Sequence, residues 1–263
     1  MTAGIVKLTE RQFLAFIDDR LDGTGPCAVA EEVPLAALAT TDVVPNARVL
    51  MAMLADGGGK LTAKGNFNRK LVETLMERFQ WRGCDTAAVR GAYKAVNEHD
   101  FVPAMYLHAI FKLAGLARRR KGTLELTRKG RALLLEEAAG RLQAVLFRTT
   151  FSRYNLGYLD GLAMAEVFQP QISLILYLTG RFCTDWRPLD ALMRSVTFPV
   201  PELTEPEYPN LPQAAFNARV LRYLCWFGLL EESRAAANDD WHTTRLYRKT
   251  PLYDRTLSFE LLR

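Results

Sequence analysis

The chain has 263 residues, 49% of them hydrophobic and 24% charged, with a net charge of +5. That composition excludes wholesale disorder and supports one large or two modest domains with real cores. The mild basic excess permits a nucleic-acid or acidic partner without demanding one.

The four cysteines, Cys27, Cys84, Cys183 and Cys225, stand far apart, with no C-x-x-C pair. Reduced, mostly buried thiols are therefore expected, rather than a disulfide framework or a zinc site. The start lacks an apolar core behind a basic stretch, and the most apolar run, ISLILYL at 172–178, is far short of the ~20 residues of a membrane span. These features predict a cytoplasmic protein that does not enter a membrane.

In chain order, Thr9-x-x-Gln12 is a capping-box pattern that starts a helix running to about Leu21. Asp22-Gly-Thr-Gly-Pro26 stops it, and Pro34 cuts any long helix through the alanine-rich 27–40 stretch. Residues 1–44 read as an acidic lead-in. A helix over 47–54 breaks at Asp56-Gly57-Gly58-Gly59, and another follows through Phe67, Leu71, Leu75 and Phe79. The 106–135 stretch reads as a helix stopped at Gly115, a basic hairpin turning at Lys121-Gly122, and the start of the next helix. Residues 156–195 read as two or three more helices, and the helices of 131–195 would join the units or form a dimer interface. The five prolines between 198 and 212 predict an extended linker. A helix over 214–227 then ends at Gly228-Leu229, before a polar loop at 231–240 and a last segment containing Leu246-Tyr-Arg-Lys-Thr250.

Two fragments recur. Leu61-Thr-Ala-Lys-Gly65 matches Leu126-Thr-Arg-Lys-Gly130 at four of five positions. Gly115-Leu116 and Gly228-Leu229 each end a helix before an expected hairpin. An internal duplication would explain both.

Residues 114–130, AGLARRRKGTLELTRKG, resemble the wing of winged helix-turn-helix proteins. Residues 58–66, GGKLTAKGN, together with that wing, resemble over about 45–150 a family of uncharacterised bacterial proteins named after an open reading frame of a rhizobial Ri plasmid. These resemblances imply a bacterial protein, mainly α, built from two or three winged-helix-like units with short β-hairpin wings joined by helices. The expected divisions are 1–44, 45–150, 151–197, 198–212 and 213–263.

Eight Lys/Arg and one acid lie between Lys112 and Arg131. In a winged helix, Arg118, Arg119, Arg120, Lys121, Arg128 and Lys129 would neutralise phosphates of double-stranded DNA. The plainer alternative is a solvated hairpin whose charges protect a sheet edge. The helix before it offers only Tyr106, His108 and Lys112, so base contacts are expected instead from Gln213, Asn217, Arg219 and Arg222. The rival function is a protein–protein interaction or scaffold module, acting as a homodimer or with another protein. Gly57-Gly-Gly-Lys60 is not a phosphate loop, because Leu61 stands where a magnesium-binding Ser or Thr belongs. Glu98-His99-Asp100 point three ways on any regular element. No recognisable catalytic motif appears, and no enzymatic activity, cofactor or metal is expected. Phe147, Phe151, Tyr154 and Tyr158 share a helical face, the spacing of core packing.

Overall fold

The structure, a computed structural model, describes residues 7–57, 59–235 and 244–261. The helices and strands run in the order α1 Glu10–Asp18, β1 Cys27–Val29, α2 Leu35–Leu38, α3 Val43–Ala55, α4 Arg69–Arg78, α5 Thr86–Ala92, α6 Val102–Leu113, β2 Ala117–Arg120, β3 Thr123–Leu126, α7 Arg128–Leu133 and α8 Ala139–Ser152. They continue with α9 Ile172–Phe182, β4 Arg187–Pro188, α10 Leu189–Val196, α11 Pro201–Thr204, α12 Leu211–Phe216, a π-helical run Asn217–Leu221, α13 Arg222–Trp226, β5 Leu230–Ala235, β6 Thr244–Lys249, α14 Pro251–Thr256 and β7 Leu257–Phe259. The fold is mainly α with short antiparallel pairings.

The chain divides into two units, residues 31–154 and residues 1–30 with 155–263. The expected lead-in is thus split. β1 pairs antiparallel with β7, and α1 packs on α9, so the first thirty residues join the later unit. α1 starts at the foreseen Thr9–Gln12 box but stops at Asp18. Buried Asp19 takes over, accepting from Leu21 N, Cys27 N and Ser173 Oγ at 2.7, 2.9 and 2.6 Å. The 172–178 run is the buried start of α9. The 198–212 stretch contains α11 and the start of α12. Residues 231–235, expected as loop, extend β5, and the remainder of that loop, 236–240, lies outside the described residues.

The two units repeat one internal order. In residues 31–154 it is α3, a short extended piece at Lys60-Leu61, α4, α6, the β2–β3 hairpin and α7. In the other it is α9, β4, α10, α12–α13, the β5–β6 hairpin and α14. In both, the piece after the first helix pairs with the second hairpin strand: Lys60 with Thr123, and Arg187-Pro188 with Tyr247 and Leu246. Each unit also carries a short helix between its second and third, α5 in the first and α11 in the other, and neither buries a residue.

The agreement extends to single hydrogen bonds. Gly115 and Gly228 sit at φ +68° and +70°, the left-handed turn that ends a helix without a Cβ penalty. Leu116 N donates to Phe111 O at 2.8 Å, and Leu229 N to Leu224 O at 2.9 Å. After each hairpin a threonine returns to this corner: Thr127 Oγ1 donates to Gly115 O (2.7 Å), and Thr250 Oγ1 to Gly228 O (2.6 Å). Each then caps the next helix, α7 or α14. The other sequence echo has no structural counterpart. Residues 62–66 close a turn, with Gly65 N donating to Thr62 O, whereas Thr127–Gly130 open α7.

Two expected results follow from the packing. A Cβ on Gly130 would stand 2.2 Å from the Leu116 carbonyl oxygen, a backbone atom that must hold its own bond to Thr127 N. Gly130→Ala should therefore cost about 1–3 kcal/mol in urea unfolding, as overpacked interiors do. In the later unit, burial pushes the Cys183 thiol up to about 12 and raises the Tyr247 and Tyr253 phenols, with the Glu232 carboxylate adding to the effect at Tyr247. These groups stay protonated when folded at pH values where the unfolded chain ionises them. Their stability contribution is complete below about pH 9 and is lost as pH rises past the ordinary cysteine and then tyrosine values. Urea midpoints should hold level up to about pH 9 and fall beyond it.

Candidate nucleic-acid interface

The β2–β3 hairpin turns through Lys121 and Gly122, both with positive φ (+47° and +79°), which suits the right-handed twist of a two-residue hairpin. Its register pairs Ala117 with Leu126 and Arg119 with Leu124 on one face, and Arg118 with Glu125 and Arg120 with Thr123 on the other. Ala117, Leu124 and Leu126 are buried, fixing the inner face, while Arg118, Arg119, Arg120 and Lys121 are all exposed. Arg120 lies 3.8 Å from the carboxylate of Glu125. Arg119 lies along the 60–66 loop, donating from Nη2 to Ala63 O at 3.3 Å. Among the described residues, Arg118 and Lys121 have no ion-pair partner. At the hairpin's foot Arg128 is exposed, and Lys129 Nζ donates to Ala114 O at 3.1 Å, where a cation suits a helix C-terminus.

The second hairpin is charge-balanced. Arg248 pairs with Glu231 at 2.7 Å, Arg245 and Arg234 with Glu232 at 3.2 and 3.6 Å, and Lys249 with Asp254 at 2.8 Å. Its cations are already answered inside the unit.

Neither helix preceding a hairpin presents a polar face. In α6, Tyr106 and His108 are 0% and 5% exposed, and of the three candidate side chains only Lys112 is exposed. His108 Nδ1 lies 2.7 Å from Glu98 Oε1, its ring is stacked on Phe67, and Glu98 Oε2 accepts from Phe67 N. Among the described residues His108 Nε2 has no partner. Exposed His99 lies 3.5 Å from Asp100, whose carboxylate accepts from Asn97 N, so within the triplet Glu98 turns away toward His108 while His99 and Asp100 stay together.

The four residues expected to reach bases are corrected by their surroundings. Arg219 is 2% exposed: Nε donates to Asp160 at 2.7 Å, Nη1 to Ala165 O at 2.9 Å and Nη2 to Leu162 O at 3.3 Å, with Glu166 at 3.6 Å. Asn217 accepts from Tyr247 OH at 2.6 Å. The Arg222 guanidinium lies over the Tyr223 and Trp226 rings at 5.1 and 5.3 Å, with Nε enclosed. Gln213 is half-buried, its Oε1 enclosed. The helix spends its polar groups inward. Phe147, Phe151 and Tyr154 are core residues, whereas Tyr158 lies beyond α8 and is exposed.

All four cysteines are free thiols. No helix among the described residues is long and apolar enough to cross a membrane.

An uncharacterised protein y4jL of Sinorhizobium fredii is 36% identical over 83 residues, which cover 32% of this chain and 38% of that relative. The chain therefore matches well under half the length of the relative. No solved structure matches it. The family model described as the Y4jL N-terminal domain matches residues 39–141, from the end of α2 into α8. Residues 39–141, with the basic hairpin inside them, are thus similar to an uncharacterised bacterial family, in keeping with the likeness noted over about 45–150.

Proposed function

We propose that residues 31–154 form a winged-helix module that holds double-stranded DNA by its phosphates, in a bacterial regulatory or mobile-element setting. The observation that carries this reading is the hairpin's charge: Arg118, Arg119, Arg120 and Lys121 are exposed on one short element whose sole acid is Glu125. Arg128 and Lys129 extend the charge to its foot. The helix–strand–helix–helix–hairpin order, with the first strand paired to the last, supports the winged-helix assignment of both units. The balanced second hairpin takes no part in the phosphate contact.

Duplex binding by fluorescence anisotropy across a salt series tests the reading, with and without reversal of Arg118, Arg119, Arg120 and Lys121 to glutamate. Affinity should fall with salt, with the slope shallower by about 0.9 for each phosphate contact removed. No binding at low salt, or binding indifferent to the reversal, would overturn it.

A protein–protein role draws on another feature, an open groove of about 420 Å³ in the later unit lined by Leu8, Phe13, Leu174, Leu178 and Phe198. Competition between a captured protein and duplex DNA would separate the two readings.

A further inference from the structure

Taking phosphate binding by the first unit as its basis, we infer that this unit grips the nucleic-acid backbone without preference for base sequence, and that Lys60 and Lys64 are part of the grip. The two lysines lie more than fifty residues before the hairpin arginines, yet the fold brings them alongside. Lys60 pairs with Thr123, and Thr123 pairs with Arg120. Directly paired residues project to the same face of a sheet, so Arg120, Thr123 and Lys60 form one transverse row. Two strand spacings of about 4.8 Å put Lys60 about 10 Å across from Arg120. Phosphates recur about every 3.4 Å of axis along each strand of a duplex, so this row matches a run of backbone and not a single phosphate. Arg118 lies on the same outer face, two residues back along β2.

Arg119 projects to the inner face, where Leu61, Leu124 and Leu126 are buried, and carries charge past its edge to the 60–66 loop. Its Nη2 holds the Ala63 carbonyl at 3.3 Å. A Cβ at Gly65 would lie 3.2 Å from Nη1. Exposed Lys64 stands between those two residues. Cations therefore leave both faces of the hairpin and the adjoining turn, with Glu125 the one acid in residues 59–66 and 117–126.

Sequence reading needs donors and acceptors aimed at base edges from an element that enters a groove. α6, the helix in the position to do this, buries Tyr106, Leu107, His108, Ile110 and Phe111 and exposes one long cation, Lys112. A lysine on a helix dominated by core packing supplies charge and not a base code. Phosphate contacts position a protein on the duplex and carry no direct sequence information.

The test uses the full chain and labelled duplexes of equal length, one A·T-rich, one G·C-rich and two of scrambled mixed sequence. Lys60→Gln, Lys64→Gln and the double variant are compared with the parent across a salt series, and circular dichroism checks their fold. Dissociation constants should agree within about threefold among duplexes at each salt concentration, well below the discrimination that a single bidentate base contact gives. Each lysine removed should reduce the salt slope by about 0.9 on every duplex. A preference of tenfold or more for one duplex, or a double variant with an unchanged slope, overturns the inference while leaving phosphate binding by the hairpin intact. Failure to bind any duplex at low salt overturns both.

Discussion

Replacing Asp160 with alanine should destabilise the protein by about 3–5 kcal/mol, the cost of leaving a buried charge without its partner. Arg219 and Asp160 side chains are each 3% exposed and 2.7 Å apart. Two backbone carbonyls, of Leu162 and Ala165, take further guanidinium protons, so the arginine ties down the irregular stretch between residues 160 and 166. Glu166, at 3.6 Å and more exposed, is a weaker substitute. Asp160→Asn keeps an oxygen acceptor and should cost less than half as much. Urea unfolding measures both, and hydrogen exchange should speed first between residues 156 and 168. A loss below 1 kcal/mol for the alanine variant would show that water or Glu166 satisfies the guanidinium.

Glu98→Ala is the second large effect, with an expected loss of about 2–5 kcal/mol from two buried donors left without acceptors. One is Phe67 N, just before the Asn68 cap of α4, and the other is the nitrogen His108 presents to Glu98 from α6. One carboxylate thus joins two helices with the 98–100 turn, and the stacking of His108 on Phe67 depends on that alignment. Glu98→Gln retains one acceptor and should recover part of the loss. Its effect should also reach the basic surface, because Phe67 closes the 60–66 loop through the Leu61–Phe67 bridge. Equal losses from Glu98→Ala and Glu98→Gln would contradict this account.

What could be read from the sequence was what rests on local chemistry. Thr9 with Gln12, and Gly115 before Leu116, specify their hydrogen bonds within a few residues, and the structure forms them. The Gly228-Leu229 echo held for the same reason. The Leu61–Gly65 echo did not, because five matching letters carry no register: here they meet a β-bridge and a turn in place of a helix cap.

The site was only half visible. The basic run 118–121 can be read directly, but Lys60 joins it only through strand pairing, and Lys64 only through the turn that Arg119 holds at Ala63. Arg219 looked like a surface arginine because its partner, Asp160, lies 59 residues earlier and nothing local marks the pair. His108 likewise looked exposed until Glu98, ten residues earlier and across a turn, came to face it. The second hairpin's acids are plain in the sequence, yet their cancelling of Arg245 and Arg248 depends on a register set by chain pairing.

Among the described residues the first hairpin carries cations without ion-pair partners and the second does not, so on the proposed reading only the first of two similarly built hairpins holds phosphate. The direct measurement is the salt dependence of duplex DNA binding for two matched double variants, Arg118→Gln with Lys121→Gln, and Arg245→Gln with Arg248→Gln. The first pair should weaken binding and lower the slope by up to about 1.8, and the second should leave the slope at the parent value. Equal effects from the two pairs, or a larger effect from the second, would contradict the account.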